Sequence, residues 1–140
     1  MRLTYAQWVL MRDHIMAQLP EEACGLIGGQ GDEARLVLPV TNELHSPVRF
    51  RMSPQEQLDA FLRFEQAGLE LIGIFHSHPR GPATPSPTDI AEWMYADVKS
   101  LIWAPRFGLW SARAFIMGTS VFQEQPLIVE LGDRRPGVTG

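Results

Sequence analysis

The feature that most restricts the fold is an apolar run that ends abruptly in histidines and prolines. Residues 69–75 form a short, almost continuously apolar run, and His76-Ser77-His78 follows immediately. A run of this length predicts a central strand that is covered on both faces. Regular structure is excluded just beyond it by Pro79, Gly81, Pro82 and Pro85. The chain must therefore bury this strand between other elements while its end opens into a loop.

Helix and strand patterns alternate through the rest of the chain. Helix starts are marked by Thr4 with Gln7, and by Ser53 followed by Pro54. The predicted helices cover 5–19, the stretch between Ser53 and Gly68, and a stretch capped at Ser86 that continues through 90–96. The predicted strands cover 24–28, 35–40, 69–75, 100–103, 112–117, 120–123 and 127–131, with a brief strand near 51. Together they predict a mixed α/β (α+β) fold, a curved mixed sheet flanked by helices.

Length and charge set the class of protein. The 140 residues fit one domain, predicted at 1–132, followed by a polar tail at 133–140 that is expected to fray. A net charge of −4 and scattered arginines argue against nucleic-acid binding as the main role. Cys24 is the single cysteine, which excludes an intrachain disulfide and favours a reducing, cytoplasmic compartment. No signal-peptide pattern or membrane-length apolar run is present, so no membrane partner is expected.

The two histidines have the spacing of a metal site. Side chains at i and i+2 of a strand point to the same face, so His76 and His78 can converge on one point. The loop that follows can fold back and bring in Asp89 from the first turn of the next helix. Two imidazoles, one carboxylate and a water would form an open, tetrahedral zinc site. Taken alone, however, each piece has an ordinary reading as packing or as a helix cap.

The combined pattern carries more information than its parts. The spacing H-x-H-P-x6-S-x-x-D over 76–89 resembles the signature of the JAMM (MPN+) zinc metalloproteases. That family also has a glutamate three residues before a glycine that opens an apolar strand, which here is Glu22 before Gly25. Arg51-Met52-Ser53-Pro54 and the strand before the histidines are similar to the small prokaryotic members. The resemblance covers about 1–131 and implies a cytidine-deaminase-like architecture.

The resemblance implies a role for each motif residue. His76, His78 and Asp89 are expected to hold one Zn²⁺ per chain. Glu22 is expected to act as the general base, and Glu21 is the competing base, disfavoured because adjacent strand residues face opposite ways. Ser86 is expected to hydrogen-bond the oxyanion, although a helix cap alone would also explain it.

The implied activity is hydrolysis of a peptide or isopeptide bond after the C-terminal Gly-Gly of a ubiquitin-like or sulfur-carrier protein. A nucleobase deaminase is rejected, because that chemistry needs H-x-E and P-C-x-x-C. A non-catalytic module that binds ubiquitin-like partners stays open as the alternative. The type of bond, the carrier and the oligomeric state also stay open.

The sequence also predicts whether several other residues are buried or exposed. Cys24 is expected to be a small buried strand residue, His14 a solvated side chain on the polar side of the first helix, and His45 a surface residue on a loop. The four tryptophans are assigned mainly to the core, and Trp110, after the irregular stretch 104–108, is a candidate to border a substrate groove. The buried stripe of the second helix is predicted at Leu58, Phe61 and Leu62, and the turn between the first two strands at Gly28, Gly29 and Gly31.

Overall fold

The computed structural model describes residues 1–132, which form eight strands and three helices. In chain order these are β1 (Arg2–Thr4), α1 (Tyr5–Gln18), β2 (Cys24–Gln30), β3 (Glu33–Val40), α2 (Pro54–Gln66), β4 (Glu70–Ser77), α3 (Pro87–Glu92), β5 (Lys99–Arg106), β6 (Leu109–Met117), β7 (Phe122–Gln125) and β8 (Ile128–Glu130). Within this part of the chain no helix is long and apolar enough to cross a bilayer. The tail predicted at 133–140 lies outside the described residues.

All eight strands belong to one mixed sheet. Its order is β7-β6-β5-β4-β2-β3-β1-β8. β4 pairs antiparallel with β2 and parallel with β5, so the chain must cross over between β4 and β5, and α3 lies in that crossover. The mixed α/β fold predicted from the sequence is confirmed.

The central position of β4 follows from its composition. Phe75 belongs to the core cluster that contains Met11 and Ile15 of α1, whereas Ile74 belongs to the cluster that contains Phe64 of α2. Since neighbouring strand residues face opposite sides of a sheet, α1 and α2 cover opposite faces of β4. From Ile72 to the first histidine, both faces of this strand are therefore shielded from water.

The first helix begins where the sequence predicts. The Thr4 hydroxyl accepts a hydrogen bond from the Gln7 amide at 3.0 Å, and the Gln7 side chain accepts one from the Thr4 amide at 2.9 Å. The prediction for His14 is wrong. Its Nε2 atom is buried, and its ring meets Phe75 edge-on with centroids 6.2 Å apart. The residue as a whole is half-buried, and this burial lowers the pKa of His14, which favours the neutral ring.

The second helix buries a different stripe from the predicted one. Ala60 and Phe64 are fully buried and Phe61 is partly buried, but Leu58 and Leu62 are 52% and 47% exposed. The register of α2 is set by Phe64, whose ring fills the space above Gly28 of β2. A Cβ atom on Gly28 would lie 2.5 Å from that ring, so only glycine allows this approach.

Three strand predictions need correction. β2 continues through Gly28 and Gly29 to Gln30, so the turn is confined to the positive-φ Gly31 and its neighbour. β1 is absent from the sequence prediction, because three residues that pair only with distant strands carry no local signal. Residues near 51 form no strand, only an isolated bridge between Asn42 and Met52.

The region after the histidines is also more regular and more extended than predicted. α3 ends at Glu92, and Trp93 is already extended. The stretch 104–108 is no irregular loop, because β5 and β6 run into a tight hairpin at Phe107 and Gly108, both with positive φ. Trp110 sits in β6 and is partly buried against the α1-side core cluster.

We predict that two substitutions in α2 will distinguish its observed buried face from the face predicted by the sequence. Phe64→Ala should lower the free energy of unfolding by about 3–5 kcal/mol, because it empties a buried aromatic site. Leu62→Ala, one of the residues assigned to the core from sequence, should cost less than about 1 kcal/mol. Urea denaturation of both variants measures the difference. Equal losses would show that Leu62 is buried after all.

Candidate metal centre

The two histidines lie at the carboxyl end of β4, where the strand leaves the sheet. His76 is in the strand, opposite Ile102 of β5, and the His78 amide extends the pairing by donating to the Trp103 carbonyl at 2.8 Å. This keeps the backbone extended through both residues. The two Nε2 atoms therefore converge and lie 3.1 Å apart.

The crossover to β5 brings Asp89 to the same point. Ser86 caps α3, with its hydroxyl accepting from the Asp89 amide at 3.0 Å. In return, the Asp89 carboxylate accepts a hydrogen bond from the Ser86 amide at 2.9 Å, which fixes the direction of the carboxylate. Asp89 Oδ2 is then 3.2 Å from His76 Nε2 and 3.0 Å from His78 Nε2.

These three atoms form a nearly equilateral triangle that fits a small metal ion. Ligands of a tetrahedral zinc at about 2.0–2.1 Å are roughly 3.4 Å apart, close to the sides seen here. His78 Nδ1 lies 2.8 Å from the Pro82 carbonyl, which can only accept, so in the neutral ring Nε2 carries the free lone pair. The three possible donor atoms are therefore assembled around one point before any metal binds.

Glu22 is the fourth acidic or basic group at this point. It is 4% exposed, and one of its carboxylate oxygens lies within 4.8 Å of ring nitrogens of His76 and His78. Its Oε1 atom is buried without a hydrogen-bond partner among the described residues. Glu21 turns away, to a contact of 3.0 Å with Nδ1 of the exposed His45. Of the two adjacent glutamates, the fold thus places Glu22 beside the histidines.

The electrostatics separate the two carboxylates. Burial raises the pKa of Glu22 to about 8, against the opposing effect of His78. Burial alone would also raise the pKa of Asp89, but His76 and His78, which in the metal-free protein donate from Nε2 to its carboxylate, outweigh it and hold that pKa well below its usual range. Asp89 is therefore a permanent anion suited to a cation, while Glu22 can gain or lose a proton near neutral pH.

The backbone of Glu22 is held from two sides. Its amide donates to the Ser46 carbonyl at 2.8 Å, and its carbonyl accepts from the side chain of the buried Asn42 at 3.0 Å. On the other side, Ser77 exchanges two hydrogen bonds with Ala23, at 2.9 and 3.0 Å. Neither Asn42 nor Ser77 was predicted from the sequence, because both form their hydrogen bonds to residues 20 or more positions away.

Asn42 also shapes the loop that covers one histidine. Its amide donates to the Arg49 carbonyl at 3.0 Å, and its Oδ1 accepts from the Leu44 and Arg51 amides at 3.1 Å each. The loop so held places the Phe50 ring on His76, with centroids 4.6 Å apart and planes at 23°. Only the turn made by Asn42 with Leu44 had a local sequence signal, an Asx turn.

Two cavities meet at the centre. The first, of about 230 Å³, is mostly apolar and reaches His76 and Asp89 between Phe50, Met52 and Trp93. The second, of about 470 Å³, contains Glu22, His78 and Ser86 and is walled by the prolines of the 79–87 loop. Val48 borders both, so the loop held by Asn42 separates the two cavities.

Ser86 contributes to the second cavity as well as to the helix cap. Its oxygen accepts from the Asp89 amide, and its hydroxyl proton is available for a further acceptor. Cys24, by contrast, is fully buried, as predicted, and burial raises the pKa of its thiol to about 12. A nucleophilic thiolate is therefore no alternative here.

The similarity of the chain to known proteins identifies its family. The sequence profile of the prokaryotic homologs of the JAB domain matches residues 6–121. The chain belongs to this family. The JAMM resemblance drawn from the 76–89 motif is confirmed. The motif roles of Glu22, His76, His78, Ser86 and Asp89 remain predictions, which the geometry above makes specific.

Named relatives of this JAB-domain protein are peptidases. It is 38% identical over 119 residues to the probable TtuB-protein conjugate cleaving protease of Thermus thermophilus, covering 84% of this chain and 75% of the relative. It is 44% identical over 69 residues to the desampylase of Pyrococcus furiosus, which covers 49% of each chain. A solution structure from Desulfitobacterium hafniense superposes with a TM-score of 0.84 at 33% identity, covering 95% of this chain and 94% of the other.

We predict that the buried Glu22 carboxyl destabilises the chelator-treated, metal-free protein as pH rises. Its pKa of about 8 lies above the ordinary value of 4.5, so the folded state binds the extra proton between these pH values. Stability should fall through that window, by at most about 1.4 kcal/mol per pH unit. Glu22→Gln should lack this decline.

The measurement is thermal or urea unfolding of both proteins from pH 5 to 8 in a chelator. Glu21→Gln is the control, because this partly exposed neighbour faces His45 and should leave the wild-type slope unchanged. Parallel curves for wild type and Glu22→Gln would mean that Glu22 titrates like an exposed carboxyl.

Proposed function

We propose that this JAB-domain protein is a zinc peptidase that cleaves the bond after the C-terminal Gly-Gly of a ubiquitin-like or sulfur-carrier protein. The observation that carries the proposal is the inward-facing triangle of His76, His78 and Asp89 with the unpaired Glu22 carboxylate beside it. The names of its relatives, a conjugate-cleaving protease, desampylases and CysO-cysteine peptidases, support this substrate class. The chain is a hydrolase of the JAMM type.

We assign the metal to the three preformed ligands. Zinc bound there would act as a Lewis acid toward the scissile carbonyl and would lower the pKa of a bound water. Asp89 supplies the negative charge, and His78 is oriented by the Pro82 carbonyl. Phe50 shields one side of His76 from solvent, which strengthens electrostatic interactions in the site.

Glu22 is the proposed proton carrier. Its carboxylate takes the proton of the attacking water and then gives it to the departing nitrogen, so that the product leaves as a neutral amine. A base of this kind works best when its pKa is near the working pH, and burial moves Glu22 in that direction. The clamp by Asn42 and Ser46 holds its backbone still during both transfers.

Ser86 is the proposed donor to the carbonyl oxygen. Negative charge develops on that oxygen as the carbon becomes tetrahedral, and a fixed hydroxyl stabilises it there. The bond accepted from the Asp89 amide holds the Ser86 oxygen in place and leaves its proton for the substrate. The cap and the catalytic role are therefore compatible in one side chain.

A tail that ends in glycines suits the narrow meeting point of the two cavities. Extended peptide can reach His76 through the apolar first cavity, between Phe50 and Trp93. Residues without side chains can then approach the ligand triangle without meeting the Val48 loop. Affinity would come from main-chain hydrogen bonds and from the apolar residues farther back in the tail.

The test compares two adjacent glutamates in cleavage of a Gly-Gly-tailed carrier conjugate. Glu22→Gln should keep the fold and reduce kcat by at least about 10²-fold, since it removes the proton acceptor but keeps the shape. Glu21→Gln is the matched control. It makes the same chemical change one residue away, at a side chain that faces His45, and should leave kcat within about twofold.

Mass spectrometry of the released carrier gives the rate. Near-normal turnover by Glu22→Gln together with inactive Glu21→Gln would reassign the base. Binding of the carrier without any cleavage by the zinc-loaded wild type would contradict the peptidase and favour a module that only binds ubiquitin-like partners.

A further inference from the structure

The position of Glu22 gives the two cavities different roles. The proton acceptor must also reach the departing nitrogen, so the leaving group has to lie on the Glu22 side of the scissile carbon. Glu22 borders the second cavity and not the first. On the proposed function, the carrier tail therefore occupies the first cavity, and the amine product leaves through the second.

The second cavity has one cationic side chain among the described residues, that of Arg80. Apart from Glu22 and His78, the other residues that border it are proline, glycine, threonine, serine or valine. Arg80 is exposed and makes no ion pair within residues 1–132. A guanidinium without a carboxylate partner among the described residues attracts an anion.

The arginines of the first cavity differ from Arg80. Arg49 is paired with Glu92 at 2.6 Å, and Arg51 with Glu43 at 3.3 Å. Their charges are already balanced by carboxylates of this chain. The difference places the unbalanced positive charge on the leaving-group side of the centre.

The loop that carries Arg80 is tied to a proposed metal ligand. The Gly81 amide donates to the His78 carbonyl at 2.8 Å, and the His78 ring contacts the Pro82 carbonyl at 2.8 Å. The backbone of Arg80 lies inside this closed turn. The backbone position of Arg80 relative to His78 is therefore fixed, and only its side chain has to adjust to a ligand.

We propose that Arg80 binds the α-carboxylate of the leaving group, which makes a free amino acid on the carrier tail the preferred group to be released. In such a substrate the carboxylate is two bonds from the scissile nitrogen. Water adds its oxygen to the glycine carbonyl carbon, the C–N bond breaks, and the nitrogen receives the proton. The products are a carrier ending in a Gly-Gly carboxylate and one amino acid. A lysine isopeptide within a protein offers no carboxylate at that distance.

The test uses two synthetic peptides that both end in Gly-Gly-Ala, one with a free carboxylate and one as the carboxamide. The wild-type kcat/KM should be about 10–100-fold higher for the free acid, the range expected for charge-assisted hydrogen bonds to a carboxylate. In Arg80→Ala this ratio should fall close to 1, and Arg80→Lys should keep part of it. Arg63→Ala, which removes the same charge from α2, should keep the full ratio.

A wild-type ratio near 1, or an unchanged ratio in Arg80→Ala, would overturn the role of Arg80 and leave the peptidase itself intact. Failure to cleave either peptide would contradict the proposed function and this inference together. The absolute cleavage rates of the two peptides distinguish a loss of preference from a loss of activity.

Discussion

One pair of hydrogen bonds joins the two halves of the centre. Ser77, the residue between the histidines, exchanges bonds with both the amide and the carbonyl of Ala23. Because strand residues alternate, the same backbone that directs Ser77 toward Ala23 directs His76 and His78 toward the opposite side. Glu22 precedes Ala23 and is thereby set beside the imidazoles. The metal triangle, the base and the two cavities all depend on this junction between β2 and β4.

The centre combines ionisable groups whose burial destabilises a folded protein. A carboxyl with a raised pKa, an anionic Asp89 and two imidazoles share a small buried space. Their mutual cost is offset by local order: the capping box of α3, the four side-chain hydrogen bonds of Asn42 at 3.0–3.1 Å, and the burial of β4 on both faces. Unbalanced polar groups at a fixed point of a rigid sheet are typical of functional sites.

The sequence predicted which side chains come together at the centre better than it predicted the surrounding scaffold. His76, His78 and Asp89 follow from strand alternation and a helix cap, which are local rules, and Glu22 from a motif. The roles of Asn42 and Phe50 were not predicted, because they depend on contacts with residues 20 or more positions away in the sequence. The stripe of α2 was misassigned since several apolar residues fit a helical period, and Gly28 decides among them through contact with Phe64.

The central claim is that Asp89, and not Glu22, completes the ligand set with the histidines. Zinc content after metal loading and gel filtration tests it most directly, in the wild type, Asp89→Ala and Glu22→Gln. The account predicts one zinc per chain in the wild type and in Glu22→Gln, and loss of most zinc in Asp89→Ala, because Asp89 Oδ2 lies within 3.2 Å of both imidazole nitrogens. Zinc retained by Asp89→Ala and lost by Glu22→Gln would contradict it.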